Sequence, residues 1–339
     1  MKTETEMFSE SFNRLNDAYF KGALASPLRK HITVAFLNAV ITHTDADGAE
    51  VEDVEFLDRE PVPNWEGEKV PRFDVFLRAK FRDNSFEGRL FHIEVQNARD
   101  KFFLKRGFYY AGNDYVGQSR RGLSYEEFEP VIFVGLMNFS LKGDEGNPLE
   151  WYNLHKVLNT VTHECLFDFM DIHSAELSLL RHKWRMYKHK PSTKFEELLF
   201  YFGNVGGKSM GNTLVQEIAE RNPTVADLLD FEKEFRSDPL LMRQYVMAQR
   251  AHIDYIANME AEREEGFTEG LEEGREEGII MGRKEGRAEG IIMGRKEGRA
   301  EGLDEAYRAS IRNIRANSNM TDEQIAVLLK LPLEFVESV

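Results

Sequence analysis

Asp74, Glu94 and Gln96 are three polar groups that a single hairpin can bring to one point. They sit in two segments whose side chains alternate. PRFDVFLRAKF puts Phe73, Val75, Leu77, Ala79 and Phe81 on one face and Asp74, Phe76, Arg78 and Lys80 on the other. RLFHIEVQ puts Phe91, Ile93 and Val95 on one face and His92, Glu94 and Gln96 on the other. A period of two over both runs is the mark of β-strands, and Asp83-Asn84-Ser85 supplies turn residues between them. With the turn centred on Asn84, Asp74 and Glu94 are equally far from it and face each other. Paired residues point to one side of a sheet, and Gln96 shares that side.

Two carboxylates at one end of a hairpin suit a hard divalent cation, Mg²⁺ or Mn²⁺, with substrate phosphate and water completing its shell. Such an ion polarises a phosphodiester and lowers the pKa of the attacking water. A nearby amide or cation must then orient the water or offset charge growing on the phosphate. This is the chemistry of metal-assisted DNA hydrolysis. Lys101, Lys105 and Arg106 follow the hairpin on a helical segment and are candidates to grip phosphate, with Tyr110 one turn beyond Arg106 on the same face. The competing reading is that these polar side chains are simply the solvated face of a half-exposed hairpin. His92 reads as a surface or supporting group. His155, His163 and His173 lack metal-site spacing, and Cys165, the single cysteine, reads as a buried apolar-like residue.

The elements that must hold this hairpin are legible around it. Residues 9–43 have helical spacing, divided at Pro27. Val51–Asp58 reads as a short strand, 99–121 as a helix, and the apolar run from Pro130 to Met137 as a buried strand. Trp151–Leu158 and Leu166–Asp171 are further strand-like runs, followed by helical pattern to about residue 260. The order helix, three strands, helix, strand is a compact α/β unit.

With 339 residues, 42% hydrophobic and 25 of them Phe, the chain has material for a real core and room for about two domains of roughly 150 residues. No apolar run reaches the ~18 residues of a membrane span. The polar, acidic opening MKTETEMFSESF lacks a secretory pattern, and one cysteine supports neither a disulfide framework nor a Cys-based zinc site. The expectation is a cytoplasmic protein. A net charge of −15 excludes a basic coat for nucleic acid and leaves only local basic patches.

The C-terminal part is unusual. GIIMGRKEGRAEG occurs twice, at 278–290 and 290–302, and glycine recurs at every fourth position from Gly266 to Gly302. On a helix that glycine row drifts by about 40° per step, so no continuous heptad seam forms. The segment reads either as a helix stabilised by a close partner helix, giving a homo-oligomer, or as a partly helical linker. Thr321-Asp-Glu-Gln324 is a capping box opening a short helix with Ile325, Leu328 and Leu329 on its apolar face, and Pro332 opens another. This pair reads as a packing or oligomerisation piece rather than a helix-turn-helix reader, since no basic cluster marks its second helix.

Asn16-Asp17-x-x-Phe20-Lys21, Phe36-Leu37-Asn38-Ala39-Val40-Ile41, Asp74, Ile93-Glu94-Val95-Gln96, Arg106-x-x-Tyr109-Tyr110, Asp171-Ile-His-Ser-Ala-Glu176-Leu177 and Phe195–Phe202, with the Glu/Gly-rich repeat, together resemble the Rpn family. These are bacterial recombination-promoting nucleases, also described as transposases, of the PD-(D/E)XK nuclease superfamily. The resemblance implies a PD-(D/E)XK-like core over 1–180, a helical extension over 181–260, the repeat at 261–302 and a short helical pair at 303–339. It implies divalent-metal DNA cleavage with Asp74 and Glu94 as the metal-binding carboxylates. Gln96 stands where the superfamily has lysine, and Asp17 is either a further site residue or a helix cap. The function expected is a metal-dependent DNA endonuclease promoting recombination. The alternative is a catalytically weak DNA-binding or self-associating protein of a mobile element, and a transposase proper would also have to join strands.

Overall fold

The computed structural model describes residues 12–45, 49–57, 74–82, 88–119, 124–143, 146–165, 169–188, 190–203 and 210–339. The hairpin turn at Asp83-Asn84-Ser85 and Phe73 lie outside them. The chain divides into two compact units, Met1–Ile256 and Ala257–Val339.

The first unit is built on one mixed sheet with helices on both faces. Its strands are β1 (Val51–Phe56), β2 (Val75–Phe81), β3 (Arg89–Gln96), β4 (Val131–Met137), β5 (Tyr152–His155) and β6 (Met170–Glu176). Their order across the sheet is β1-β2-β3-β4-β6-β5. The first three strands form an antiparallel meander, β3 runs parallel to β4 and β4 to β6, and β5 closes the edge antiparallel to β6. Three parallel strands therefore end at the same edge. In the hairpin, Val75 pairs with Ile93, Phe76 with His92 and Leu77 with Phe91, which is the register that puts Asp74 opposite Glu94.

One face of the sheet carries Val75, Leu77, Ala79, Phe91, Ile93, Val134 and Leu136, a continuous apolar floor. It is covered by α1 (Asp17–Leu24), α2 (Lys30–Thr44), α4 (Leu177–Met186), α5 (Lys194–Gly203), α6 (Met210–Ala219), α7 (Pro223–Ser237) and the start of α8 (Pro239–Asn317). Pro27 opens a short 3-10 turn between α1 and α2. Helix α3 (Phe103–Gly117) covers the other face, where Phe103 and Ala111 pack with Leu90, Val131, Phe133 and Met170. Gly107 makes this approach possible: a Cβ there would stand 2.6 Å from the Phe133 ring.

Both faces of β3 are thus covered, and the expectation of an open polar face needs correcting. His92 is fully buried, stacked on Phe76 at 4.4 Å and ion-paired through Nε2 with Asp114 of α3. The strand expected at Leu166–Asp171 is β6 instead. Four of its residues, Asp171, His173, Ser174 and Glu176, are polar and yet buried, so no apolar run announces it. Neighbours satisfy them: Tyr152 Oη lies 2.5 Å from His173 Nδ1, Lys156 Nζ is 3.1 Å from Asp171, and the Leu141 N–H donates to Glu176 at 3.0 Å. Cys165 is exposed, not buried as expected.

The chain leading into α1 is tied down by a buried ion pair, Arg14 Nε to Glu232 Oε2 of α7 at 2.7 Å, and Arg14 also donates to the Tyr201 carbonyl at 3.1 Å. In the second unit, the 261–302 repeat is helical throughout as part of α8, with its side chains exposed. The small helices α9 (Asp322–Leu329) and α10 (Leu333–Glu337) bury Ile325, Ala326 and Val336 against Ile311, and Arg315 fastens them by contacts to Asp322 and the Val336 carbonyl at 2.9 Å each. Gln324 accepts from the Thr321 N–H at 3.1 Å, as its capping box requires. Among the described residues no helix is long and apolar enough to cross a membrane.

Breaking a buried ion pair by deleting one partner leaves an uncompensated charge, at a cost of about 3–5 kcal/mol. Glu232→Ala is therefore expected to lower the unfolding free energy by roughly that amount, measured by urea denaturation. A loss within error of zero would show that the pair does not anchor the segment before α1.

Candidate active site

Asp74 stands just before β2, and Glu94 lies near the end of β3. Asp74 is held from two sides. Its Oδ2 accepts the Val95 N–H at 2.8 Å, and its Oδ1 lies 3.3 Å from Lys21 Nζ of α1. Lys21 is also 2.7 Å from Asp17, one helical turn earlier. Asp17 is not the cap of α1; Asn16 is, accepting the Ala18 N–H at 3.0 Å. Asp17 and Lys21 thus belong to the carboxylate cluster.

Glu94 is only 6% exposed. Its nearest cation is Arg106 of α3, whose Nη2 is 3.8 Å from Oε2. Arg106 is itself clamped by Asp100 at 2.6 Å and by Gln96 Oε1, which accepts from Nη2 at 2.9 Å. The other end of the Gln96 amide donates to the Ala98 carbonyl at 3.1 Å. Both ends of that amide are therefore engaged within the protein. Its immediate effect is to fix Arg106.

The remaining expected residues divide. Tyr110 is half-buried one turn beyond Arg106, and burial followed by the nearby Glu94 charge pushes its hydroxyl up. Lys101 and Lys105 do not join the carboxylates. Both are exposed and lie over the Phe102 ring, at 4.9 and 5.6 Å from its centre. Lys21 is the cation that sequence reasoning missed as a site residue. The signal was present in the i, i+4 pair Asp17–Lys21, but only the packing of α1 against the start of β2 shows that it serves Asp74. Gln249 and His252, from the first part of α8, also stand beside the site; they share a cavity of about 180 Å³ with Asp17, Gln96 and Asn97.

Burial dominates the electrostatics. It raises the Asp74 carboxyl to about 6, against the pull of Lys21 and the Val95 N–H. It raises Glu94 to about 8, with the Asp74 charge adding to the effect and Arg106 opposing it. Two like charges in a poorly solvated place resist ionising together. A divalent cation between them would reverse that preference. The donor set fits a hard cation such as Mg²⁺, which binds through one or two carboxylates and keeps several waters. It does not fit a closed protein cage, since no trio of His, Cys, Asp or Glu able to hold a metal occurs among the described residues.

Residues 14–262 match the family described as PD-(D/E)XK nuclease family transposase. The chain belongs to this family. The match spans the whole sheet, the carboxylate cluster and the start of α8, and the mixed α/β fold is consistent with it. Family membership supports a nuclease or transposase-like function for the chain, and nucleases of this superfamily generally use divalent cations. No curated protein and no solved structure matches the chain. In this chain the two carboxylates come from the meander, and their cations from α1 ahead of it and α3 after it.

Both carboxyls bind a proton more tightly in the folded chain than in the unfolded one. Between about pH 4 and 8 the folded state therefore holds more protons, and stability must fall as pH rises through that window. Without divalent cation, the urea midpoint is expected to drop from pH 5 to pH 8, and Glu94→Gln is expected to flatten the part of the slope above pH 6. An unchanged slope in Glu94→Gln would exclude Glu94 as the titrating group.

Proposed function

We propose that this protein is a cytoplasmic, divalent-metal-dependent DNA endonuclease whose cuts promote DNA recombination. The observation that carries the reading is the pairing of half-buried Asp74 with buried Glu94 at the open end of β3, flanked by Lys21 and Arg106, in a chain of a nuclease family. Asp74 and Glu94 are assigned as the residues that would hold Mg²⁺ or Mn²⁺. When bound, the ion supplies a polarised phosphate and a more acidic water.

In the reaction, a water oxygen bonds to phosphorus and gives up a proton, the bond from phosphorus to the leaving deoxyribose oxygen breaks, and that oxygen takes up a proton. Lys21, paired to both Asp17 and Asp74, is assigned the role of the superfamily lysine: it offsets charge growing on the phosphate and orients water. Arg106, aimed by Asp100 and Gln96, offsets charge from the opposite side. Gln96 is a positioning residue in this scheme. Lys101, Lys105 and the exposed Phe102 on the outer surface of α3, with Tyr110, are assigned to DNA binding beyond the reacting atoms.

A specific observation favours the catalytically weak, self-associating alternative. Gln96 brings no charge and is saturated internally, and Ile279, Ile280, Ile291 and Ile292 are exposed on α8. Self-association through 261–302 is compatible with either activity. Sedimentation of a chain truncated after residue 260 tests it; a mass per particle unchanged in chain number would remove the repeat from assembly.

Nicking of supercoiled plasmid with Mg²⁺ or Mn²⁺ tests the catalytic reading. Asp74→Ala and Glu94→Ala are expected to abolish nicking, and Lys21→Ala to slow it by about 10²–10³, the loss seen when a charge-stabilising donor is removed. The double variant Lys101→Gln, Lys105→Gln is expected to weaken DNA binding while leaving the rate at saturating DNA within about threefold, as for lost phosphate contacts. If the intact protein does not nick DNA, or both carboxylate variants nick as it does, the weak-binding alternative stands.

A further inference from the structure

The edge where the three parallel strands end holds a second cavity, of about 400 Å³, that the carboxylate cluster does not use. Arg99 reaches it from the chain after β3, Ser140 from the chain after β4, and Ser178, His182 and Arg185 from α4, which begins directly after β6. In open α/β sheets, this crevice beyond the strand ends is where ligands bind.

Its donors are placed but not engaged. Ser140 is 8% exposed, and its hydroxyl has no hydrogen-bond partner among the described residues. The Ser178 hydroxyl is likewise buried without a partner. Buried polar groups are normally satisfied, so two unsatisfied hydroxyls lining one cavity can donate to what occupies it, water or a ligand. Helix α4 has no side-chain cap. Glu176 occupies the cap position, but its carboxylate accepts the Leu141 N–H at 3.0 Å. Among the described residues Arg99 donates to the Leu141 carbonyl at 3.4 Å and Arg185 makes no ion pair. The described lining residues carry no acidic side chain; Asp144 and Glu145, between Gly143 and Gly146, lie outside the described residues. Gly143, with φ of 65°, keeps space beside the Arg99 guanidinium, and a Cβ on Gly146 would stand 2.7 Å from Ser140 Oγ. In a chain of net charge −15, two guanidiniums, an imidazole and two hydroxyl donors around one hollow select a tetrahedral oxyanion.

The cavity also lies on the same edge as the carboxylate site. Asn138 after β4 donates to Asn97 after β3 at 3.3 Å and accepts from Arg181 of α4 at 2.8 Å, so a polar chain links the two. From β3 to β6 is two strand spacings, about 10 Å.

We propose that this cavity binds a backbone phosphate of the DNA on the same side of the sheet as the bond that is cut. The identity of the substrate rests on the nuclease reading; the phosphate chemistry rests on the cavity. The test uses the full chain without divalent cation. Inorganic phosphate is expected to raise the thermal unfolding temperature saturably. The variant Ser140→Ala, Ser178→Ala and the variant Arg99→Gln, Arg185→Gln should each weaken that apparent affinity at least tenfold, while Asp74→Asn leaves it unchanged. The arginine variant should also reduce the salt slope of duplex binding by about 0.9, one phosphate's worth, and the serine variant should weaken binding at constant slope. Equal losses for duplexes with and without 5′-phosphates assign the cavity to an internal phosphate. Losses confined to the phosphorylated duplex assign it to a strand end. No phosphate-dependent shift in the intact protein, or losses from the arginine variant alone, would overturn the proposal, the latter by reducing it to diffuse charge. Phosphate binding as expected in a protein that never nicks plasmid would sink the nuclease reading and leave the cavity standing.

Discussion

Two carboxylates share the poorly solvated end of a central strand, and most of the first unit is arranged around that fact. Desolvation pushes both Asp74 and Glu94 towards their neutral forms, with the Asp17 charge adding to the effect on Asp74 and the Asp74 charge to that on Glu94. The fold answers with cations from opposite sides, Lys21 on α1 and Arg106 on α3, neither of which is on the hairpin itself. Each cation needs its own support. Lys21 is shared with Asp17, and α1 is kept in place by core aromatics and by the Arg14–Glu232 pair just ahead of it. Arg106 is oriented by Asp100 and Gln96. The cluster sets four carboxyls, Asp17, Asp74, Glu94 and Asp100, against two cations in a place short of solvent, a state that favours a hard cation.

The amide at position 96 takes on a different meaning in this setting. In a superfamily named for a lysine there, glutamine looks like a lost charge. Its engagement with Arg106 and the Ala98 carbonyl makes it a strut instead, and a cation returns to the neighbourhood from another helix. The position of a charge in the chain and its position in space are separable, and a motif records only the first.

What could be read from the sequence was whatever had a local period. The alternation of β2 and β3 carried both their existence and their pairing, because register and face are set by the same period of two. The apolar run of β4 was equally plain. β6 was misplaced because a buried strand bearing Asp171, His173, Ser174 and Glu176 has no hydropathy signature; its polar groups are satisfied by residues distant in sequence, such as Tyr152 and Leu141. The same limit governed the site. Asp74 and Glu94 were legible as a cross-strand pair, whereas Lys21 required the packing of α1. Lys101 and Lys105 looked suitable by proximity in sequence, but they turn outward over Phe102. Cys165 shows the weakness of composition alone: a residue type that is usually buried is exposed here.

Gly107 has a bearing on how this protein tolerates change. It lies against Phe133 and touches neither carboxylate, yet it sits next to Arg106 in the chain and sets how near α3 comes to the sheet. Any side chain there must lift the helix or displace the ring, and the arginine moves with the backbone. The reach of the guanidinium is therefore governed by a missing methyl group rather than by its own rotamers. Under the proposed mechanism, a survey of inactivating substitutions would flag this glycine alongside the acidic residues, although it offers no atom to any substrate.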